Sequence, residues 1–240
     1  MKAERRMRIP RGSGVFSVTA LAALVIGAGG LTLALAGPPG LPAHFTGVLN
    51  DYTPLTDSAG VAISGSPYEM HGKWSLDLNP GRGTATFSAE MTMETADFAN
   101  TDPMHNPTKL APHTHHITVT DGVIHDGPTD WMELCNPMFK PPVAGGFAVT
   151  GTANVTGNGG NPPFGNPSAV TICILGGVKT VLATPYASVE YSNFTLTFTA
   201  GSPASTHFGS QAINGAVVRC YGPTWQASQE CAVAVQNEEN

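Results

Sequence analysis

Glu69-Met70-His71-Gly72-Lys73-Trp74-Ser75-Leu76-Asp77-Leu78 and Thr84-Ala85-Thr86-Phe87-Ser88-Ala89-Glu90-Met91-Thr92-Met93-Glu94 decide the fold class of this 240-residue chain. Between them stands Asn79-Pro80-Gly81-Arg82-Gly83. In the first run Met70, Trp74, Leu76 and Leu78 alternate with Glu69, His71, Lys73, Ser75 and Asp77. In the second, Ala85, Phe87, Ala89, Met91 and Met93 alternate with Thr and Glu or Ser. Successive side chains of an extended chain point to opposite faces, so a period of two gives each run one apolar face. Joined by a Pro-Gly turn, the two runs predict a β-hairpin with Trp74 and Phe87 as core anchors.

The same pattern recurs outward from the hairpin. A first strand is expected around Phe45 to Asp51, and another from Pro112 towards Asp121, where Asp121-Gly122 signals a tight turn into Val123-Ile124-His125. Residues 126–146, with Trp131, Cys135 and Pro141-Pro142, read as a long loop of the kind that is either functional or pinned covalently. Phe147 to Thr156, Val170 to Leu175, Val178 to Leu182, Tyr186 to Tyr191, Phe194 to Thr199 and Ile213 to Cys220 complete the candidates. Long amphipathic helices are absent, and 28 Gly and 20 Pro are spread along the chain as turn signals. The expectation is an all-β domain of about nine or ten antiparallel strands, a β-barrel or barrel-like sandwich. Closure is favoured because so many strands carry only one apolar face.

Lys2, Arg5, Arg6, Arg8 and Arg11 precede an apolar run from Val15 to Ala36 that ends in Ala34-Leu35-Ala36. That order is the order of a signal peptide, so residues 1–36 are read as one; an uncleaved anchor is the alternative. Residues 37–67 form a lead-in with the first strand, 68–222 the core of the β domain, and 223–240 an irregular acidic tail. From Gly37 onward 6 Lys and Arg face 16 Asp and Glu, a formal charge of −10. Such a chain has no electrostatic footprint for nucleic acid, and would meet a membrane only through an uncleaved leader. The expected location is exported: extracellular, or in the cell envelope or periplasm. Four cysteines in an exported chain imply two disulfides, and Cys220–Cys231 with Cys135–Cys173 is the preferred pairing of three.

His113-Thr114-His115-His116 holds three of the eight histidines. On an extended chain His113 and His115 share the inward face with Ile117 and Val119, while His116 faces out with Thr114 and Thr118. An H-x-H pair on one strand face is a two-ligand unit for zinc or copper. It needs a third ligand from elsewhere; His105 and His207 are the first candidates, His44 and Asp121 the others. His71 falls on the polar face of its own strand. The alternative is that these histidines are hydrogen-bonded groups at a barrel mouth, or ring a small-molecule pocket without metal. The thioethers Met91 and Met93 are in phase with the core, which reads as packing rather than as a copper site. No G-x-S-x-G elbow, H-E-x-x-H helix or Walker-type loop is present. The cupin and copper/zinc superoxide dismutase patterns both fail at their later metal ligands.

His71 to Leu78, Gly83 to Met93, Pro112-His113-Thr114-His115-His116-Ile117, Asn161-Pro162-Pro163-Phe164-Gly165 and His207-Phe208-Gly209 with the run to Arg219 together resemble a group of uncharacterised bacterial exported proteins built on one β domain. The resemblance spans most of residues 68–219. It implies a shared fold and no activity. A looser similarity to chordin-type extracellular domains carries no function. The functional expectation is a non-catalytic exported binding module for a small ligand, a metal ion or a surface partner such as an envelope component. A metalloenzyme built on the H-x-H pair, and a disulfide-stabilised structural envelope protein, are the alternatives.

Overall fold

A computed structural model describes residues 43–56, 67–95, 112–135, 143–158, 162, 164–180, 187–221 and 232–235. All of them belong to one compact unit, Leu33–Asn240. The leader, His105 and Cys231 lie outside the described residues.

Nine strands are described: β1 (Ala43–Tyr52), β2 (Tyr68–Asn79), β3 (Thr84–Thr95), β4 (His113–His125), β5 (Val143–Gly157), β6 (Ser168–Thr180), β7 (Ala187–Phe198), β8 (Ile213–Tyr221) and β9 (Ala232–Val235). Every pairing is antiparallel. The order β6-β5-β4-β3-β2-β1-β8-β7, with β6 also paired to β7, closes an eight-stranded barrel. The ninth strand, β9, continues the sheet along the first half of β7, whose second half pairs with β8. Closure removes the unpaired edges that an open sheet would expose.

The hairpin forms as its alternation dictates. Tyr68 to Asn79 pair with Thr95 to Thr84 without a shift. Pro80–Arg82 makes one 3₁₀ turn, and Gly83 closes it at φ 66°, a left-handed conformation that favours glycine.

Several expectations are corrected by strand continuity. Asp121-Gly122 does not turn the chain back. β4 runs through to His125, and its register with β3 and β5 shifts at this point, as at a β-bulge. A Cβ on Gly122 would meet Val149 Cγ1 at 2.6 Å, so glycine marks a close approach rather than a hairpin. Val170 to Leu175 and Val178 to Leu182 likewise belong to one element through Thr180, and the two candidates between Tyr186 and Thr199 merge into β7. Residues 126–146 hold α1 (Pro128–Leu134) and the start of β5. β1 lies between β2 and β8 and completes the barrel. Within the tail, Ala232–Val235 is a strand.

An eight-stranded barrel is just wide enough for side chains to fill it. Here the filling is aromatic and layered. Phe45, Phe147 and Tyr191 meet at 5.5–5.9 Å near one end. In the middle Trp74 stacks on Phe194 at 4.2 Å and Phe87 on Phe194 at 5.8 Å. At the other end Phe198 stacks on Phe208 at 4.8 Å. Each such pair adds about 0.5–1.5 kcal/mol to the burial of its rings. The interior is a packed core, which leaves the barrel ends as places for chemistry.

The outer wall carries a second, smaller core. β6 reads Ile172-Cys173-Ile174-Leu175 because both of its faces are covered: Ile172 and Ile174 point into the barrel, Cys173 and Leu175 out against Trp131 of α1. Cys135, at the C-cap of α1, is joined to Cys173 by a disulfide. Cys220 is also held in a disulfide. An oxidising compartment suits such a chain. No helix among the described residues is long and apolar enough to cross a membrane.

Candidate metal centre

In this topology β1, β3, β5 and β7 end, and β2, β4, β6 and β8 begin, at the same end of the barrel. The β5–β6 and β7–β8 connections therefore arrive where β4 presents its first residues. Burial along β4 alternates, with His115, Ile117 and Val119 buried and His116, Thr118 and Thr120 exposed. His116 thus faces solvent, as parity requires.

The β7–β8 connection carries a four-residue helix, α2 (Ser205–Phe208). Its approach is fixed by hydrogen bonds: the Ala204 amide donates to Ser168 Oγ at 2.9 Å, and the Ser205 hydroxyl to the Ser202 carbonyl at 2.7 Å. Ala204 and Phe208 are fully buried in the main core, so α2 is anchored by apolar contacts on either side of His207. Gly209 leaves the helix at φ 81°, where a Cβ would strike Pro54 Cγ at 2.5 Å.

His207 Nε2 then lies 3.1 Å from His115 Nε2 and 3.3 Å from His113 Nε2. One nitrogen of each ring falls within 4.8 Å of the other two, and this is the one such group of His, Cys, Asp or Glu among the described residues. Of the ligands considered from sequence, His113, His115 and His207 are brought together. His44 is not: its Nδ1 pairs with Asp77 Oδ1 at 2.6 Å, and its ring stacks on Tyr221. Asp121 is exposed beside the Thr120 hydroxyl.

Elementary geometry separates a metal cage from a hydrogen-bonded cluster. Each imidazole nitrogen has one in-plane site, a proton or a lone pair. His207 Nε2 faces two other Nε2 atoms and can make a linear hydrogen bond with only one of them. One ion removes the conflict. With metal–nitrogen distances of about 2.0–2.1 Å, two ligands of a tetrahedral ion stand roughly 3.3–3.4 Å apart. The two short contacts have nearly that length.

The protonation states agree. Burial lowers the His115 pKa to about 4, with further lowering from neighbouring His113. Burial, then His115 and His113, lowers that of His207 to about 3. Both rings are neutral near pH 7, with lone pairs free to bind a cation. His115 Nδ1 is buried without a well-formed hydrogen bond, although the nearby Thr156 backbone slightly favours a proton. A proton on Nδ1 leaves the Nε2 lone pair pointing at the cluster.

Aromatic rings hold the imidazoles in place. Phe164 stacks on His207 at 5.5 Å, Phe208 meets His115 edge-on at 5.1 Å, and Tyr68 meets His113 edge-on at 5.5 Å. Phe164 sits on the β5–β6 connection, which Asn166 ties to β5 through two hydrogen bonds with the Val155 backbone. None of these three rings was predicted as part of the site. Their sequence signals are ordinary apolar residues in or beside turn-rich segments.

Comparison with protein-family models, with curated proteins and with solved structures finds no match for this chain.

Proposed function

We propose that this chain is an exported metal-binding β-barrel that holds one transition-metal ion, zinc or copper, through His113, His115 and His207. The observation that carries the reading is the convergence of three Nε2 atoms at 3.1 and 3.3 Å, spacings that suit ligands of one ion. The packed interior argues against a lipocalin-like lumen for a small organic ligand. A metalloenzyme is the second reading, favoured by the count of ligands: three imidazoles leave one position of a tetrahedral ion for water or substrate. His113 and His207 are only partly buried, so that position is reachable. Export is supported by the charged, apolar, small-residue order of residues 1–36 and by the disulfide.

The test is metal analysis of the purified protein beside His115→Ala and His207→Ala variants. One equivalent of zinc or copper in the parent and none in either variant is the expected result. A parent that stays metal-free after incubation with both ions would sink the proposal.

A further inference from the structure

The strand register that presents the histidines also presents sulfur. His113 pairs with Met93 and His115 with Met91 across β3–β4, and Met93 pairs in turn with Met70 across β2–β3. Directly opposed residues share a face, with Cβ atoms about 4.5–5.5 Å apart, so both methionines stand beside the histidines on the inner wall. Met70, Met91 and Met93 are all fully or almost fully buried. Beside Met91 the β2 position is Gly72, where a Cβ would lie 2.0 Å from the Glu90 carbonyl oxygen, so no β2 side chain competes for this space.

Packing alone does not account for this choice. Strand interiors favour β-branched and aromatic side chains, and a well-ordered core favours residues with fixed rotamers. The next layers along the same strands follow that rule, with Trp74, Phe87, Ile117 and Val119. Flexible thioethers occur where the histidines are. No described carboxylate or thiolate joins the three imidazoles to make a harder or more anionic site.

We propose that the site is selective for copper, as Cu(I), with a thioether from the Met91–Met93 pair taking the position left open by His113, His115 and His207. Imidazole serves zinc and copper alike, whereas a thioether is a soft donor that favours Cu(I). A site closed by sulfur binds and passes on copper and has no free position for hydrolysis. This inference rests on the three-histidine reading and decides between its two forms.

The experiment compares the parent with Met91→Leu, Met93→Leu and the double variant, substitutions that roughly conserve volume. Cu(I) affinity is read by competition with a chromophoric chelator under ascorbate, which avoids thiol reductants that attack disulfides. Zinc affinity is read in parallel. The expected result is a Cu(I) affinity lower by about tenfold or more in the double variant, with zinc affinity unchanged. Equal Cu(I) affinity in parent and double variant, or a parallel fall for both ions, overturns the thioether ligand while leaving the histidine site standing. A parent that binds neither ion overturns both. If the double variant does not fold, the X-ray absorption spectrum of the Cu(I)-loaded parent decides: a sulfur scatterer supports the inference, and nitrogen scatterers alone overturn it.

Discussion

His115 Nε2 and His207 Nε2 stand 3.1 Å apart although 92 residues separate them in the chain. The first is on a barrel strand, the second on a four-residue helix that reaches the same end of the barrel from the opposite wall. An ion bound to both cross-links β4 to the β7–β8 connection.

Metal should therefore stabilise the fold, and the gain should depend on His207. A ligand that binds only the folded chain stabilises it by about 2.7 kcal/mol at a hundredfold excess over its dissociation constant. Thermal unfolding with and without zinc or copper should show a rise in midpoint for the parent. The rise should vanish in His207→Ala, whatever that change costs the metal-free protein. An equal rise in both would place the ion elsewhere.

Acid should destabilise the metal-free protein before its carboxylates titrate. His115 and His207 have folded pKa values of about 4 and about 3, below the 6.5 of an unfolded histidine. Between those limits the unfolded chain binds more protons, so stability falls as pH drops below about 6.5 and is fully present above it. Denaturant midpoints at pH 7.5 and pH 5 should differ more in the parent than in a His115→Gln/His207→Gln double variant. Equal pH dependence in the two proteins would show that the pair is not held neutral.

The barrel was legible because alternation is a local signal. Trp74, Phe87, Met91 and Met93 declare their inward face within ten residues, and parity separated His115 from His116 on the same basis. What alternation cannot register is whether a strand stops. Gly122 and Gly176-Gly177 look like turns but are places where a continuous strand bulges or passes close to a neighbour, so β4 and β6 each read as two shorter runs. The histidine cluster was half legible. His113 and His115 lie on one strand face, whereas His207 depends on where α2 lands, which is set by Ala204, Ser168 and Phe208. Such long-range packing has no periodicity. Met91 and Met93 were placed in the core correctly, but only the pairing of β3 with β4 puts them beside the histidines.

The Cys135–Cys173 disulfide should stabilise the fold without touching the metal centre. It closes a sequence separation of 38 residues, for which loop-closure entropy gives about 4 kcal/mol. It fastens α1 to the outer wall, and α1 follows the end of β4 remote from His113. A Cys135→Ala/Cys173→Ala variant should lose several °C in unfolding temperature at unchanged metal stoichiometry. Loss of metal from a variant that remains folded would mean that the disulfide and the histidine cluster are coupled.

Gly47 should tolerate no side chain. It pairs directly with Trp74, whose indole lies across it, donates from Nε1 to the Val48 carbonyl at 3.2 Å and stacks on Phe194 at 4.2 Å. A Cβ at Gly47 would fall 2.4 Å from Trp74 Cζ2 and 2.0 Å from the Ala216 carbonyl oxygen. The indole cannot retreat without displacing Phe194, and the carbonyl belongs to the neighbouring strand β8. Overpacking of this kind costs about 1–3 kcal/mol, more where backbone must move. Gly47→Ala should lower the denaturation midpoint accordingly and disturb the tryptophan signal in near-ultraviolet circular dichroism. Its metal stoichiometry should persist wherever the variant is folded, because Trp74 and Phe194 form the middle layer of the core, whereas the histidines stand at the end of the barrel where β4 begins. A Gly47→Ala protein as stable as the parent would mean that the indole does not occupy this position.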